Sequence, residues 1–274
     1  MSNNTYKHSD NLDFNSIQKY LKTSYLGCDY RYYDVIDSTN KEVKRLISKG
    51  NNIKNGSIFI CETQTNGSGK FNRKWHSPEK CGLWFTIVLN IEDADMDISK
   101  ITLLTGAAVC SSLRSFNIES TIKWPNDIYL NNKKIGGILT ERVWDSNKSS
   151  YLIIGIGLNV NSTESSFPKE LKDYASSVFI ETGKNFSRAE ILCSILSSFE
   201  NLVEDLKRNG SYDKILEINR KYSCILGRKI NILNPDGSTY ESIALELSNN
   251  GSLIINDNEG IRKEFISGEV SIRI

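Results

Sequence analysis

Lys123-Trp124-Pro125-Asn126-Asp127-Ile128-Tyr129-Leu130, followed by Asn131-Asn132-Lys133-Lys134-Ile135-Gly136-Gly137, reads as short strands joined by tight turns. Pro125 has no amide donor and cannot sit inside a central strand, so Lys123-Trp124 ends one strand. Ile128-Tyr129-Leu130 restarts extended structure, and Asn131-Asn132 supplies a hairpin turn. Lys133 and Lys134 open the return strand, where Gly136-Gly137 let a backbone or a ligand come close. A lysine ammonium, an amide and a carboxylate thus share one hairpin, a set suited to an anionic ligand carrying a divalent ion. A solvated hairpin tip accounts for the same residues equally well. The flanking sequence has to decide.

Upstream, Tyr32 to Ile36 reads as a strand, then Asp37-Ser38-Thr39-Asn40 opens a helix that buries Val43, Leu46 and Ile47 and stops at Gly50. Thr39 with Glu42 forms a capping box. The same helix start also offers hydroxyls and amides to an anion or a ureido group. Ser57 to Glu62 is a buried strand running into the long loop Thr63-Gln64-Thr65-Asn66-Gly67-Ser68-Gly69-Lys70-Phe71-Asn72-Arg73-Lys74-Trp75-His76-Ser77-Pro78. Long loops in compact domains tend to be functional or disordered. This one can wrap a phosphate with amides and cations, although it lacks the GxxxxGK frame of a P-loop. His76 reads as surface, without a role. Gly82 to Leu89 is a further strand, and a helix over about 99–116 carries the small patch Gly106-Ala107-Ala108.

Downstream, Tyr151 to Asn161 is a central strand with Gly155 and Gly157 inside it and Asn159 at its exit. Residues 162–186 read as irregular. Ser187 caps a long apolar-striped helix with Glu190 as box partner, and Gly210 closes it. A short helix spans about 212–222. After Gly227 short strands follow near 229–233, 239–247, 252–257, 261–267 and 269–274, with turns at Asn234-Pro235-Asp236-Gly237 and Asn250-Gly251. At the other end, Asn15 or Ser16 caps a short helix within a polar 30-residue extension.

Composition excludes several classes. The net charge of +1 gives no global case for nucleic acid or membrane binding. No apolar run approaches the ~18 residues of a membrane span. The polar N-terminus has no apolar signal core, and the six scattered cysteines form no CxxC pair. A cytoplasmic protein with reduced thiols is the expectation. Two histidines, His8 and His76, make a histidine-based metal site or triad a poor reading.

Five stretches now stand in order: residues 37–40, the loop 67–78, the hairpin 123–137, the strand 155–161, and Ser267-Gly268-Glu269-Val270-Ser271. Together they resemble the biotin protein ligases, the biotin–[acetyl-CoA-carboxylase] ligases, over about residues 30–274. The resemblance implies an α+β fold: residues 1–30 as an extension, and 31–224 as a class II synthetase-like catalytic domain. That domain has a mixed, mainly antiparallel sheet faced by helices. An SH3-like β-barrel follows over 225–274. It also implies a two-step reaction, in which biotin is activated by ATP as biotinyl-5′-AMP, with Mg2+, and then passed to a lysine of a biotin carboxyl carrier protein. Homodimers are common in the family. Some members carry a DNA-binding winged helix; the short N-terminal extension here leads to the expectation of no operator binding. A lipoate- or octanoate-transferring relative, or a biotin sensor without catalysis, are the competing readings.

Carried across residue by residue, the resemblance puts Ser38, Thr39, Asn40, Gln64, Gly67, Ser68, Gly69, Lys70, Lys134, Gly136, Gly137, Gly155 and Gly157 around biotin. It puts Lys123, Trp75, Asn126, Asp127, Asn159 and Arg73 on the adenylate side, with Asp127 toward Mg2+. Lys134 carries the main electrostatic role in catalysis, assisted by Lys70, and Lys133 is a solvated neighbour. One departure stands out. The family's loop runs Gly-Arg-Gly-Arg-x-Gly-Arg, and here Ser68, Lys70 and Asn72 replace two arginines and a glycine. Lysine lacks arginine's bidentate fork, so this loop is expected to grip the adenylate less tightly.

Overall fold

The computed structural model describes residues 10–70, 73–91, 97–233, 238–257, 259–266 and 269–271. Its larger sheet has seven strands: β1 (Tyr30–Ile36), β2 (Ser57–Gln64), β3 (Gly82–Ile91), β4 (Thr121–Lys123), β5 (Asp127–Leu130), β6 (Lys133–Trp144) and β7 (Ser150–Asn159). Their order is β1-β2-β3-β7-β6-β5-β4. Only β1 and β2 run parallel, joined by the helix α2 (Thr39–Ser48); the other pairs are antiparallel. The strand read as central is central, with three strands on either side of β7. The remaining helices are α1 (Phe14–Ile17), α3 (Ile98–Ser115), α4 (Val178–Thr182), α5 (Arg188–Asn209) and α6 (Asp213–Lys221).

Strand residues alternate between two faces, and the sequence sorts them sharply. One face carries Ile58, Ile60, Phe85, Ile87, Leu152, Ile154, Ile156 and Leu158 into a large core with α3 and α5. The other face packs Phe59, Val88 and Ile153 against Val43 and Ile47 of α2. Beyond Ile153, the residues of β7 on that second face are Gly155 and Gly157, with Thr86 and Gly137 facing the same way on neighbouring strands. The α2 face therefore changes from a packed core to a floor of small residues. That is where a cavity can form.

A second sheet contains β8 (Lys229–Leu233), β9 (Thr239–Leu247), β10 (Leu253–Asp257), β11 (Arg262–Phe265) and β12 (Glu269–Ser271), in the order β11-β10-β9-β8-β12 and antiparallel throughout. The fold is thus α+β with a mainly antiparallel sheet and a small β domain. The turn at 234–237 and Ser267-Gly268 lie outside the described residues, as do His8, Phe71 and Asn72. The small sheet is distinct in topology yet not in packing: Ile230, Ile232, Ala244, Leu253 and Ile255 belong to the same continuous core as α3 and α5. Trp124 donates its indole N–H to the Gly251 carbonyl at 3.0 Å, tying the opening hairpin to the small sheet.

Several local expectations change. The N-cap of α1 is Asp13, which accepts from the Ser16 amide, and not Asn15 or Ser16. The Thr39–Glu42 capping box does not form. Ser38 is the N-cap and makes no side-chain cap bond, while the Glu42 carboxylate takes Arg45 instead. Thr39 turns inward to partners from β2 and β3. Ser187 does cap α5, accepting from the Glu190 amide, and Gly210 ends that helix with φ +65°. Residues 162–186 are more ordered than their composition suggests, with two 3-10 turns (Glu164–Ser166, Lys169–Leu171) and α4. A fully buried Arg188 links α5 to Glu62 on β2 and to Asp10.

Candidate active site

The small-residue floor opens into a cavity of about 380 Å³. That lies in the usual range of small-molecule sites, about 300–1,000 Å³. Its walls come from the start of α2, the end of β2, the loop after it, the β4–β5 turn, β6, β7 and the segment around Tyr174. Seventeen of the nineteen residues expected around ligand border it. The two others are placed elsewhere. A side chain at Gly136 would point at Leu158 and Ile128, on the core face, because it alternates with Gly137. Gly67 sits beneath the loop, where an added Cβ would lie 2.8 Å from the Trp75 carbonyl.

At the α2 end, Ser38, Thr39 and Asn40 are buried and polar. The Thr39 amide donates to Gln64 Oε1 at 3.0 Å, and Gln64 Nε2 donates to Ser77 Oγ at 3.0 Å. The start of α2 is thus capped from across the sheet by a residue of β2, and the Ser38 hydroxyl is not used for capping. The positive end of a helix favours an electron-rich group.

The middle of the cavity is set by Trp75. Its ring lies on two glycines that are cross-strand partners, Gly137 and Gly157. A Cβ at Gly157 would come within 2.5 Å of the indole, and one at Gly137 within 3.1 Å. No L side chain fits at Gly157 while the indole stays, and one at Gly137 would press the ring to move by a few tenths of an ångström, so close approach requires glycine at 157 and favours it at 137. Trp84 meets Trp75 edge-on at 6.4 Å between ring centroids. The Trp75 Nε1 is buried without a hydrogen-bond partner.

On the hairpin, the Trp124–Pro125 peptide is cis, and Asn131 and Asn132 both have positive φ, the conformation that a type I′ hairpin turn needs. Lys134 Nζ reaches Asp127 Oδ1 at 2.6 Å and stands 5.5 Å from the centre of the Trp75 ring. Asn126 is braced onto β6: its Nδ2 donates to the Ile138 carbonyl, and the Ile138 amide donates back to its own carbonyl. Lys123 lies 5.6 Å over the Tyr129 ring. Burial, and then the Asp127 carboxylate, push the Tyr129 phenol well above its ordinary value, so it stays neutral. Asn159, almost fully buried, donates to the Ser176 carbonyl at 2.9 Å.

Residues 174–176 run alongside the start of β6. The Lys134 amide donates to the Tyr174 carbonyl, and the Ser176 amide donates to the Lys134 carbonyl, both at 2.9 Å. This brings Phe167, Leu171, Tyr174 and Ala175 to the cavity. His76, read from sequence as surface, also borders it, with Nε2 2.6 Å from the Ser166 carbonyl. No periodicity pointed to Phe167, Leu171, Tyr174 and Ala175; a long-range pairing between Lys134 and Ala175 delivers them.

Charge at the cavity is one-sided. Among the described residues that line it are Lys70, Arg73, Lys74, Lys123 and Lys134 against one carboxylate, Asp127. The chain as a whole is nearly neutral, so this cationic excess is local, as a polyanion site needs. Among the described residues no cluster of three or more His, Cys, Asp or Glu could hold a metal alone, and no helix is long and apolar enough to cross a membrane.

Comparison with known proteins converges on one group. Residues 32–159 match the profile of the biotin/lipoate A/B protein ligase family. The bifunctional ligase/repressor BirA of Bacillus subtilis is 35% identical over 244 residues, which is 89% of this chain and 74% of that protein. The biotin–[acetyl-CoA-carboxylase] ligase of Mycobacterium tuberculosis is 24% identical, over 84% of this chain and 85% of that one. Among solved structures, the biotin protein ligase of Aquifex aeolicus in complex with biotin and ATP superposes with a TM-score of 0.75 at 31% identity. The match covers 90% of this chain and 99% of that one.

Proposed function

The chain belongs to the biotin/lipoate A/B protein ligase family, and on that premise we propose that it is a biotin–protein ligase working through biotinyl-5′-AMP. One observation carries the reading: the same cavity holds the start of α2, with the buried polar residues Ser38, Thr39 and Asn40, and a cationic wall centred on Lys134. The first suits a small polar ring, the second a carboxylate meeting a triphosphate.

In the first step a carboxylate oxygen of biotin attacks the α-phosphorus of ATP. A P–O bond forms, the bond to the β-phosphate bridge breaks, and pyrophosphate leaves. Two anions must meet. At ~4 Å their repulsion is about 4 kcal/mol at the effective dielectric of a half-buried site. An ammonium between them reverses that sign, and Lys134 is the cation on the Gly137–Gly157 floor. Lys70, Arg73 and Lys123 add positive charge along the nucleotide side. Asp127 would be the protein ligand to Mg2+, since such ions use one or two carboxylates together with substrate phosphates. The ion would there offset phosphate charge.

In the second step a neutral lysine amine of the carrier attacks the activated carbonyl carbon. A C–N bond forms, AMP departs with the oxygen, and the amine's proton goes to solvent. Until then the mixed anhydride must be kept from water, and Ser68 to Lys70 and Arg73 to Trp75 together with residues 162–177 form the cover. The acceptor is a biotin carboxyl carrier domain of a carboxylase, and the catalytic unit spans 31–224 with the small domain over 225–274.

The test is ATP-dependent transfer of biotin to a purified carrier domain, followed by the mass of the product and by pyrophosphate release. A biotin-sized mass increase is expected. Transfer of lipoate in its place, or no pyrophosphate with any acid, overturns the proposal.

A further inference from the structure

Glu141 on β6 lies outside the cavity, yet its carboxylate touches a cavity residue. Asn40 Nδ2 donates to Glu141 Oε2 at 3.1 Å, and Lys44 of α2 pairs with Glu141 Oε1 at 2.6 Å. A carboxylate only accepts hydrogen bonds. The Asn40 amide is therefore fixed with its nitrogen outward and its Oδ1 inward. That oxygen sits over Gly155, where a Cβ would lie 2.5 Å away, and 2.6 Å from Thr86 Oγ1.

The remaining protons follow by elimination. An amide oxygen cannot donate, so the proton between Thr86 and Asn40 belongs to Thr86. Thr86 is fully buried and has only one proton. Its 2.7 Å contact with Thr39 Oγ1 must then carry the Thr39 proton. With that proton turned inward, Thr39 Oγ1 has none left for Gln64 Oε1, 3.4 Å away. Toward the cavity the Thr39 hydroxyl shows lone pairs alone.

We propose that Glu141 is a positioning residue that sets the hydrogen-bond polarity of the relay Thr39–Thr86–Asn40, and thereby makes Thr39 an obligate acceptor for a ligand N–H. The ligand group this fits is an N–H donor such as that of a cyclic urea. The inference rests on the biotin reading, since biotin's ring carries such a urea. It adds a residue to recognition that touches no ligand.

The experiment reverses one link and restores the other. Biotin Kd is measured by calorimetry on the full chain, together with the KM for ATP in pyrophosphate release. Glu141→Gln, which can donate as well as accept, removes the obligation and weakens biotin binding by about three- to tenfold, without moving the KM for ATP. Asn40→Asp sets two carboxylates against each other and weakens it by about tenfold or more. In the N40D/E141Q double variant the two groups have changed places. The amide now on β6 donates to the carboxylate now on α2, Thr86 donates to the other oxygen of that carboxylate, and the original polarity returns. Most of the lost affinity is then recovered. Lys44→Met leaves the carboxylate as acceptor and binds as the parent does. A double variant that binds no better than N40D, or an E141Q variant within twofold of the parent, overturns the inference. A parent chain that binds no biotin overturns the functional reading itself.

Discussion

Lys134 and Asp127 form a 2.6 Å ion pair at the centre of the cavity. The cation assigned to the two reacting anions is therefore already neutralised by the carboxylate assigned to the metal side. Under the proposed function, substrate binding would exchange partners: biotin's carboxylate and the α-phosphate would take the ammonium, and Asp127 would be freed to hold a phosphate-bound ion. Lys134→Met keeps the stem and removes the charge. Loss of one such preorganised donor costs about 10²–10³ in rate. Single-turnover pyrophosphate release should fall by that much, and a near-normal rate would show that Lys134 does not carry the electrostatic role.

The contact between Trp75 and Gly157 gives a steric prediction. In Gly157→Ala the new methyl lies 2.5 Å from the indole, so the ring must leave its seat. Biotin affinity should drop at least tenfold, and the thermal midpoint should move little, because the floor faces a cavity and not packed core. Unchanged affinity with an unchanged Trp75 environment by fluorescence would contradict the geometry.

The loop departure predicts a leaky intermediate. Ser68 and Lys70 border the cavity where the family's pattern has arginines. Restoring both as Ser68→Arg and Lys70→Arg should slow release of biotinyl-AMP from the enzyme, read by trapping the free adenylate. Identical release rates would remove the loop from this role.

Among the described residues, Arg188 is a fully buried charge outside the site. It bonds Glu62 twice and Asp10 through its Nε. Arg188→Met strands Glu62, itself buried, and partners of buried ions left alone cost about 3–5 kcal/mol. The urea midpoint should fall accordingly, with the slope unchanged.

Alkaline stability follows from the buried thiols. Burial pushes Cys110 up to about 11 and Cys61 and Cys193 to about 12, against an ordinary value of 9.0. Above pH 9 the unfolded chain loses these protons while the folded chain keeps them, so unfolding is favoured as pH rises. Their contribution is intact below pH 9 and is lost through the range 9–12. Urea midpoints at about pH 8 and about pH 10.5 should differ in that direction, and replacing Cys110 and Cys193 with serine or alanine should reduce the difference.

The hairpin and its neighbours were legible in the sequence because each local signal had a local cause. Pro125 stops β4, Asn131 and Asn132 adopt the positive φ that their turn needs, and the glycines of β7 fall on one face by simple alternation. The failures share a different cause. Thr39 gives up its capping box for Gln64 and Thr86, partners 25 and 47 residues away. Residues 162–177 gain order from the Lys134–Ala175 pairing, which no window of sequence contains. Phe167 reaches the cavity by the same route, and His76 comes to it from the loop after β2, with Nε2 held 2.6 Å from the Ser166 carbonyl. The small domain announced itself through its turns, but the continuity of its core with α3 and α5 depends on burial that only the folded chain shows.

The bond from Trp124 to Gly251 has a consequence for traffic through the site. It fastens the wall bearing Asn126 and Asp127 to a second sheet and to the main core, so that wall is an anvil. The facing segment 174–176 is clasped to Lys134 by two main-chain bonds, and the Gly69 amide donates to the Arg73 carbonyl. Unclasping that side would open the cavity to reactants and products without disturbing the fixed wall. Under the proposed function, turnover would then depend on how quickly a few peptide hydrogen bonds let go and re-form, while the wall tied to Gly251 stays fixed beside them.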